Sequence, residues 1–382
     1  MRLVDSPSAL EEATALIAAS PWAAVDTEAD SLHHYIEKLC LVQVSTPSDD
    51  FVIDPLAAIE LGGLLQLLSQ KPLILHGADF DIRILHRFFA WKPKEVFDTV
   101  IAAQVLGYPH QGLADLAKIH CDVTLSKKSQ KADWSVRPLG PELLEYAAND
   151  THYLKTIREI MEKELAEKGR TEWHRQFCAK LIETATAVPT DDKKENWRMK
   201  GSKAMKGRGL ALVKALWEWR EEQAARRDRP PFKVIQSETL VDIAQWADAH
   251  PTQDVALMPD APRNVKGEHR EALNALIQKM DTLPAPKPFL AKHKTPYKKW
   301  GEKENKILDE LKAQRQILAS ELNIHPSLLA NNASLETVIT ASPKNGEDLR
   351  RAGCLLPWQA EVFGGKILKV FDIIDPTEEA MR

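Results

Sequence analysis

Two carboxylates separated by one residue mark the first place in the sequence where chemistry is indicated. Asp26-Thr27-Glu28 follows the apolar run Trp22-Ala23-Ala24-Val25, which has the length of a β-strand. Because side chains alternate along a strand, Asp26 and Glu28 are expected next to each other on one face. Two such carboxylates repel, and a cation between them removes that cost. Ligands that offer only oxygen favour Mg²⁺ or Mn²⁺ over zinc, so the triplet predicts a divalent metal site.

Two further elements place acids at positions suited to the same site. His76-Gly77-Ala78-Asp79-Phe80-Asp81 follows an apolar run, which leaves Asp79 and Asp81 as alternative ligands. Tyr146 precedes Asp150 by four residues, a spacing that places the phenol and the carboxylate on one face of a helix. Each element alone is common, but three elements in this order are much more specific.

The residues around these motifs indicate an α/β domain. Helical patterns cover 59–68 and 81–89, and strand patterns disappear from Pro141 onward, where a periodic stretch runs to about Lys168. The polar segment 190–194 is interpreted as the exit from this domain. Strand-length apolar runs occur at 22–26, 39–44, 51–53 and 73–76.

The remaining chain contains an internal repeat. When the sequence is shifted by 95 residues without gaps, Arg220 meets Arg315 and Pro231 meets Pro326, while the apolar positions keep register. Two unrelated amphipathic helices would not share the proline, so two copies of one small helical domain are predicted. A stiff Pro-rich connector, 283–288, lies between them. The predicted domains are 1–190, 207–283 and 302–376.

Composition excludes several classes of protein. Hydrophobic residues are 44% and charged residues 28%, which is typical of a globular protein. No apolar run approaches the ~20 residues that a membrane span requires, and the N-terminus lacks the apolar region of a signal peptide. The four cysteines are far apart and form no CxxC pair, which predicts reduced thiols in a cytoplasmic protein.

Charge is distributed unevenly along the chain. Residues 1–150 carry 12 basic and 21 acidic side chains, whereas residues 193–233 carry 13 basic and 5 acidic ones. Residues 279–299 add 6 basic side chains against 1 acidic. A single basic stretch would be interpreted as a solvated helix face. An acidic first half followed by basic stretches favours a polyanionic substrate whose chemistry needs metal ions.

The three motifs together resemble those of the DEDD exonucleases, in the subgroup whose third motif contains tyrosine, and are most similar to the ribonuclease D family. The resemblance runs over nearly the full chain and favours Asp81 over Asp79, because Asp81 lies five residues after His76 as in that family. The stretch 128–139, with Asp133-Trp134-Ser135-Val136-Arg137-Pro138-Leu139, is also similar. Asp26 and Glu28 match the first motif, Asp81 the second, and Tyr146 with Asp150 the third.

The two helical units resemble HRDC domains. The stronger match is Leu216-Trp217-Glu218-Trp219-Arg220, followed by Arg229-Pro230-Pro231-Phe232. The second copy has Lys312 and Gln314 where the first has tryptophans, so its assignment depends on the repeat.

The resemblance implies a fold and a reaction. The fold is an α/β ribonuclease-H-like exonuclease domain, with a mixed sheet flanked by helices, followed by two all-α HRDC-like domains. The reaction is hydrolysis of RNA from its 3′ end to nucleoside 5′-monophosphates, with two divalent ions, Mg²⁺ or Mn²⁺, about 4 Å apart. Asp26 would bridge both ions, Glu28 and Asp150 would complete the first site, and Asp81 would serve the second through water. Tyr146, with an ordinary pKa near 10, would position the water.

Candidate substrate-binding residues are Thr27, Gln43 and His76. The expected partner is RNA with a free 3′ end, and the resemblance indicates the 3′ trailers of tRNA precursors. No membrane and no obligate protein partner are expected, and a monomer is predicted. His33 and His34 are interpreted as surface or substrate-facing residues rather than metal ligands.

Two other functions remain open from the sequence. A DNA 3′→5′ exonuclease would use the same metal chemistry, although the chain lacks the GxxxxGK[ST] loop of an ATP-driven helicase. An inactive nucleic-acid-binding scaffold is the other, and the intact set of four acids and a tyrosine argues against it.

Overall fold

The structure is a computed structural model that describes residues 1–187, 196–259, 261, 265–286 and 300–374. The described residues form two compact units. The first contains residues 1–28, 39–187 and the C-terminal residues from 300 onward, and the second contains residues 29–38 and the stretch from 196 to 286. The predicted domain exit at 190–194 and the basic residues within 287–299 lie outside the described residues.

The first unit contains a six-stranded mixed sheet, which confirms the predicted fold class. The strand order is β1-β4-β3-β2-β5-β6. Three strand pairs, β1 with β4, β2 with β5 and β5 with β6, are parallel, and β3 pairs with β4 antiparallel. The strands are β1 (Arg2–Val4), β2 (Ala23–Ala29), β3 (Leu39–Ser45), β4 (Asp50–Ile53), β5 (Leu73–Leu75) and β6 (Val96–Asp98).

Eight helices accompany this sheet. Their bounds are α1 (Pro7–Ala19), α2 (Gly62–Ser69), α3 (Asp79–Phe89), α4 (Thr99–Leu106), α5 (Leu113–Cys121), α6 (Pro141–His152), α7 (Leu154–Glu167) and α8 (Thr171–Ala185).

Local sequence signals explain several of these boundaries. Ser6 caps α1 ahead of Pro7, and Pro141 occupies the first turn of α6, where its missing N–H costs nothing. The periodic stretch expected from Pro141 to about Lys168 is two helices, α6 and α7, interrupted at Tyr153. Neither proline nor glycine stands at this break, so composition gave no sign of it.

The repeat is visible in the remaining helices. The helices α9 and α13 both have 20 residues and begin 95 positions apart, and so do the short helices α10 and α14. The bounds are α9 (Gly207–Arg226), α10 (Pro231–Val234), α11 (Ser237–Ala249), α12 (Glu268–Gln278), α13 (Glu302–Glu321), α14 (Pro326–Leu329), α15 (Asn332–Ala341), α16 (Gly346–Arg351) and α17 (Pro357–Ile374). None of the described helices is both long enough and apolar enough to cross a membrane.

The repeated arginine has the same structural role in both copies. Arg220 donates from Nη1 to the Ile235 carbonyl and to Ser237 Oγ, at 3.4 and 2.9 Å. Arg315 donates from Nη1 to the Ala330 carbonyl at 2.7 Å and to the Asn332 side chain at 3.2 Å. Both pairs of acceptors are related by the same shift of 95 residues. The arginine therefore ties the first helix of each copy to the connection that precedes its third helix.

The C-terminal helical copy packs on the nuclease part of the first unit. Trp358, which is 1% exposed, stacks on Trp173 with ring centroids 4.2 Å apart, and its backbone N–H donates to Gln176 Oε1 at 3.1 Å. Arg170 joins the two parts by donating to the Val105 and Leu322 carbonyls at 2.7 and 2.6 Å. Truncating a buried tryptophan to alanine typically lowers the free energy of unfolding by about 3–5 kcal/mol. The packing of Trp358 therefore makes the C-terminal helical copy an integral part of the first unit.

Candidate active site

A cluster of carboxylates lies where β2 and α6 meet. Oxygen atoms of Asp26, Glu28 and Asp150 all lie within 4.8 Å of one another. These side chains line a cleft of about 340 Å³, together with Tyr146 and His76. Alternation along β2 brings Asp26 and Glu28 to one face, as the sequence predicted, and α6 adds Asp150 from a distance of more than a hundred residues.

Asp81 lies beside this cluster in a more buried position. It is 4% exposed, and the Thr27 hydroxyl donates to its Oδ1 at 2.5 Å. Asp79, the alternative in the same motif, is exposed and accepts from Arg83 at 2.8 Å, one helical turn further along α3. The structure therefore brings Asp81 and Thr27 to the site and turns Asp79 toward solvent.

The carboxylates of the cluster have raised pKa values. Burial is the largest cause for every one of them, and repulsion between the carboxylates adds to it for Asp26, Glu28 and Asp150. The pKa of Glu28 is raised to about 9, and the pKa values of Asp81 and Asp150 are raised to about 7. The pKa of Asp26 is raised well above its usual range. Without a cation, the site therefore retains protons at neutral pH.

The donor set fits a hard divalent cation. All three clustered side chains offer carboxylate oxygen, the ligand type that Mg²⁺ and Mn²⁺ prefer, and neither cysteine nor histidine belongs to the cluster. A bound cation would remove the repulsion that raises these pKa values. Asp26, Glu28 and Asp150 are thus the residues of the described structure best placed to hold a metal ion.

Tyr146 lines the cleft one helical turn before Asp150. The centroid of its ring lies 5.8 Å from the centroid of the Trp134 ring. Trp134 is 1% exposed, so the phenol packs against a buried side chain of the core. Burial and the charges of Asp150, Glu28 and Asp26 raise the Tyr146 pKa further above its ordinary value of 10. The phenol therefore stays protonated and can donate a hydrogen bond, but it cannot serve as a base at neutral pH.

His76 lies at the end of β5 and presents an acceptor to the cleft. The Thr99 hydroxyl donates to the Leu75 carbonyl at 3.2 Å, so the 2.8 Å contact between His76 Nδ1 and Thr99 Oγ1 uses the Nδ1 proton. Burial lowers the His76 pKa, which keeps the ring neutral. Nε2 is then the unprotonated nitrogen.

Asp98 positions the second motif, and the sequence analysis missed it. Its carboxylate accepts hydrogen bonds from four backbone N–H groups, those of Gly77, Ala78, Val100 and Ile101, at 2.8 to 3.2 Å. Two of these donors belong to the turn that leads into α3, where Gly77 has a φ of +76°, and two to the first turn of α4. The N-cap pattern Asp98-Thr99 was the available signal, but nothing local showed that the same carboxylate also holds the turn before Asp81.

Gln43 is not brought into the cleft. It is fully buried on β3, where its side-chain amide has no hydrogen-bond partner in the described structure, and it is not among the residues lining the cleft. The whole of β3 is buried, so both faces of this strand are covered. A direct contact between Gln43 and a nucleotide, as the sequence suggested, would require the core to open.

Comparisons with known proteins agree with this architecture. A family model described as 3′-5′ exonuclease matches residues 1–166, and one described as HRDC domain matches residues 209–252 and 304–371. A ribonuclease D of Bartonella henselae is 28% identical over 374 residues, which cover 96% of this chain and 89% of that protein.

Two solved structures share the fold. Escherichia coli RNase D, an exoribonuclease involved in structured RNA processing, matches with a TM-score of 0.68 at 24% identity, over 98% of this chain and 99% of that one. The catalytic core of RRP6 from Trypanosoma brucei matches with a TM-score of 0.56 at 26% identity, over 73% of this chain and 78% of that one.

The raised pKa values predict that metal stabilises the protein more strongly at higher pH. Because Asp81, Asp150 and Glu28 hold protons in the folded state that they lose in the unfolded state, the metal-free fold loses stability as pH rises toward 9. Mg²⁺ must displace these protons, so its apparent affinity rises over the same range. The melting temperature in Mg²⁺ minus that in EDTA should widen from pH 6 to pH 9, by about 2–4 °C for each kcal/mol gained.

Asp26→Asn is the matched control for this measurement, because it removes one charge from the cluster while keeping its shape. For this variant, the melting temperature in Mg²⁺ minus that in EDTA should be smaller and should change less with pH. A difference that is constant from pH 6 to 9 in the unmodified chain would show that the cluster does not exchange protons for metal.

A second prediction separates the two acids of the second motif. Asp81→Asn should abolish nearly all nuclease activity, whereas Asp79→Asn should retain most of it, because Asp81 is buried beside Thr27 while Asp79 is exposed and accepts from Arg83. Activity on a labelled single-stranded RNA, measured with folded protein, gives the comparison. The reverse order of activities would assign the second motif to Asp79.

Proposed function

This chain belongs to the ribonuclease D family of 3′→5′ exoribonucleases, and on that premise we propose that it releases nucleoside 5′-monophosphates from the 3′ end of RNA at the carboxylate cleft, by a two-metal-ion mechanism. The observation that carries the mechanism is the set of carboxylates with oxygens within 4.8 Å, whose raised pKa values are those of a site that requires cations.

Each side chain has one proposed task. Asp26 would contact both ions, Glu28 and Asp150 would complete the first site, and Asp81 would serve the second through water. Bound divalent metal supplies a water of lowered pKa and stabilises charge on the leaving 3′ oxygen. The Thr27 hydroxyl holds Asp81 in place with the hydrogen bond to Oδ1.

The residues without carboxylates orient the reactants. Tyr146 keeps its proton and donates a hydrogen bond that fixes the attacking water. His76 offers Nε2 as an acceptor, which suits a hydroxyl of the terminal ribose. Orienting a water within the cleft raises the reaction rate by positioning the reactant, and not by abstracting its proton.

The segment just ahead of the first helical copy supplies positive charge. Lys200, Lys203 and Lys206 are exposed at even spacing ahead of α9, in a stretch free of acids. Contacts of this kind bind the phosphate backbone without regard to sequence. This charge supports RNA with a free 3′ end as the substrate, and we include the 3′ trailers of tRNA precursors in the proposal.

The remaining features of the proposal concern the protein as a whole. We place its domains at 1–190, 207–283 and 302–376, and we propose a cytoplasmic monomer without an obligate protein partner. The four cysteines are reduced thiols, of which Cys40 and Cys178 are buried, and this supports a reducing compartment.

The function is tested with labelled RNA and DNA of one sequence, each in Mg²⁺, Mn²⁺ or EDTA. We expect stepwise shortening of the RNA from its 3′ end in either metal, none in EDTA, and a loss of roughly a thousandfold or more in Asp26→Asn, since several kcal/mol of charge stabilisation is removed. Faster shortening of DNA would favour the alternative DNA exonuclease. Binding without hydrolysis in any metal would favour the inactive scaffold.

A further comparison separates the phenol from the carboxylate on α6. Tyr146→Phe should lower kcat by about a hundredfold while leaving the Mg²⁺ concentration for half-maximal rate unchanged, because the phenol orients water and binds no ion. Asp150→Asn should raise that concentration as well as lower kcat. An equal metal dependence in the two variants would contradict the proposed division of tasks.

A further inference from the structure

A second cleft lies between the nuclease part and the C-terminal helical copy of the same unit. Its volume is about 620 Å³, larger than the catalytic cleft. Side chains from the end of α4 and the turn after it form one wall, and residues from the end of α13 to α14 form the other. The lining includes Gln104, Tyr108, Gln111, Ser320, Asn323 and Ser327.

The two walls are fixed relative to each other by close contacts. A Cβ added to Gly107, which has a φ of +83°, would lie 1.9 Å from the Asn323 carbonyl oxygen, so the two backbones touch. Arg170 bridges the Val105 and Leu322 carbonyls directly beside this contact. The cleft is therefore a preformed feature of the unit, in the position between domains where ligand sites are common.

The lining is polar, and it includes His325. None of the described residues that line this cleft is a lysine, arginine, aspartate or glutamate. Gln104 donates from Nε2 to Gln111 Oε1 at 3.2 Å, which orders both amides, and each amide retains hydrogen-bonding capacity beyond this bond. Ala319, Ile324 and Leu328 add apolar surface. A planar, neutral ligand with donors and acceptors at its edge fits such a lining, and a nucleobase is the ligand of that description in RNA.

The cleft is separated from the catalytic cleft by a single turn. Residues 107–109 and Gln111 of the turn between α4 and α5 line the larger cleft, and Gly112 with the first residues of α5 lines the catalytic one. Lys168 is exposed and donates to the carbonyl of Leu106, the last residue of α4, and so places positive charge next to this turn. A strand whose 3′ end occupies the catalytic cleft can therefore continue past the turn with a phosphate near this cation.

We propose that this cleft is a nucleobase subsite for RNA, occupied by a nucleotide upstream of the one being removed. The proposal rests on the proposed function, because the strand is taken to end at the carboxylate cluster. The subsite makes RNA binding depend on length, since a substrate too short to pass the turn leaves it empty.

The first test compares Gln104→Leu with the unmodified chain on RNA oligonucleotides of increasing length. Gln104→Leu should raise KM about tenfold for long RNA, as expected when a polar group of a ligand loses its partner, and leave KM for the shortest substrates and kcat unchanged. Gln70→Leu is the matched control, because it makes the same change in the nuclease part at a residue lining neither cleft. Equal KM values for Gln104→Leu and the unmodified chain at every length would overturn the proposal.

The second test needs no variant and no hydrolysis. RNA carrying 4-thiouridine at single positions is photo-cross-linked to the unmodified chain in EDTA, and the modified peptides are identified by mass spectrometry. An internal position should cross-link within 104–111 or 319–328. Cross-links that never reach these peptides would overturn the RNA subsite. A failure of RNA hydrolysis would contradict the proposed function alone.

Discussion

Mutual repulsion among carboxylates is the constraint that the nuclease part must accommodate. Two unit charges about 4 Å apart near a protein surface repel by about 4 kcal/mol, and three such pairs approach the 5–15 kcal/mol that stabilises a whole domain. Asp26, Glu28 and Asp150 have oxygens within 4.8 Å of one another. The metal-free protein avoids the full cost by retaining protons, and a divalent cation avoids it by supplying charge. The same geometry thus destabilises the metal-free site and favours the binding of cations.

Hydrogen bonds from backbone N–H groups, more than charged side chains, hold the segments next to the carboxylate cluster in place. Asp98 is 1% exposed, yet its four N–H donors keep it satisfied, and it fixes both the turn before α3 and the start of α4. Asp81, by contrast, accepts the Thr27 hydroxyl and has a pKa raised to about 7. Two buried aspartates beside the same turn therefore differ: Asp98 is held by backbone N–H groups, and Asp81 has a pKa at which it can take up or release a proton near neutral pH.

The parts of this structure that sequence predicted depend on short spacings. Alternation along a strand placed Asp26 beside Glu28, and the shift of 95 residues held down to the hydrogen bonds of Arg220 and Arg315. The parts that it missed depend on contacts between distant segments or on very short elements. The strands β1 and β6 each include a charged residue, Arg2 and Asp98, so neither offers the uninterrupted apolar run that marked β5. Nothing local to Gln43 showed that both faces of β3 would be covered.

The two helical copies share a fold but differ in how they pack in the protein. Both keep the arginine, but the C-terminal copy lies in the compact unit that contains the carboxylate cluster, where Trp358 stacks on Trp173. Removing that copy would expose Trp173 and the aromatic ring of Phe177, which also contacts Trp358. A shortened chain would then change in stability as well as in RNA binding, and its salt dependence could not be assigned to lost phosphate contacts. Charge substitutions at exposed positions within the copies, such as Lys233, leave the packing intact, and they are the changes from which the contribution of the helical copies can be derived.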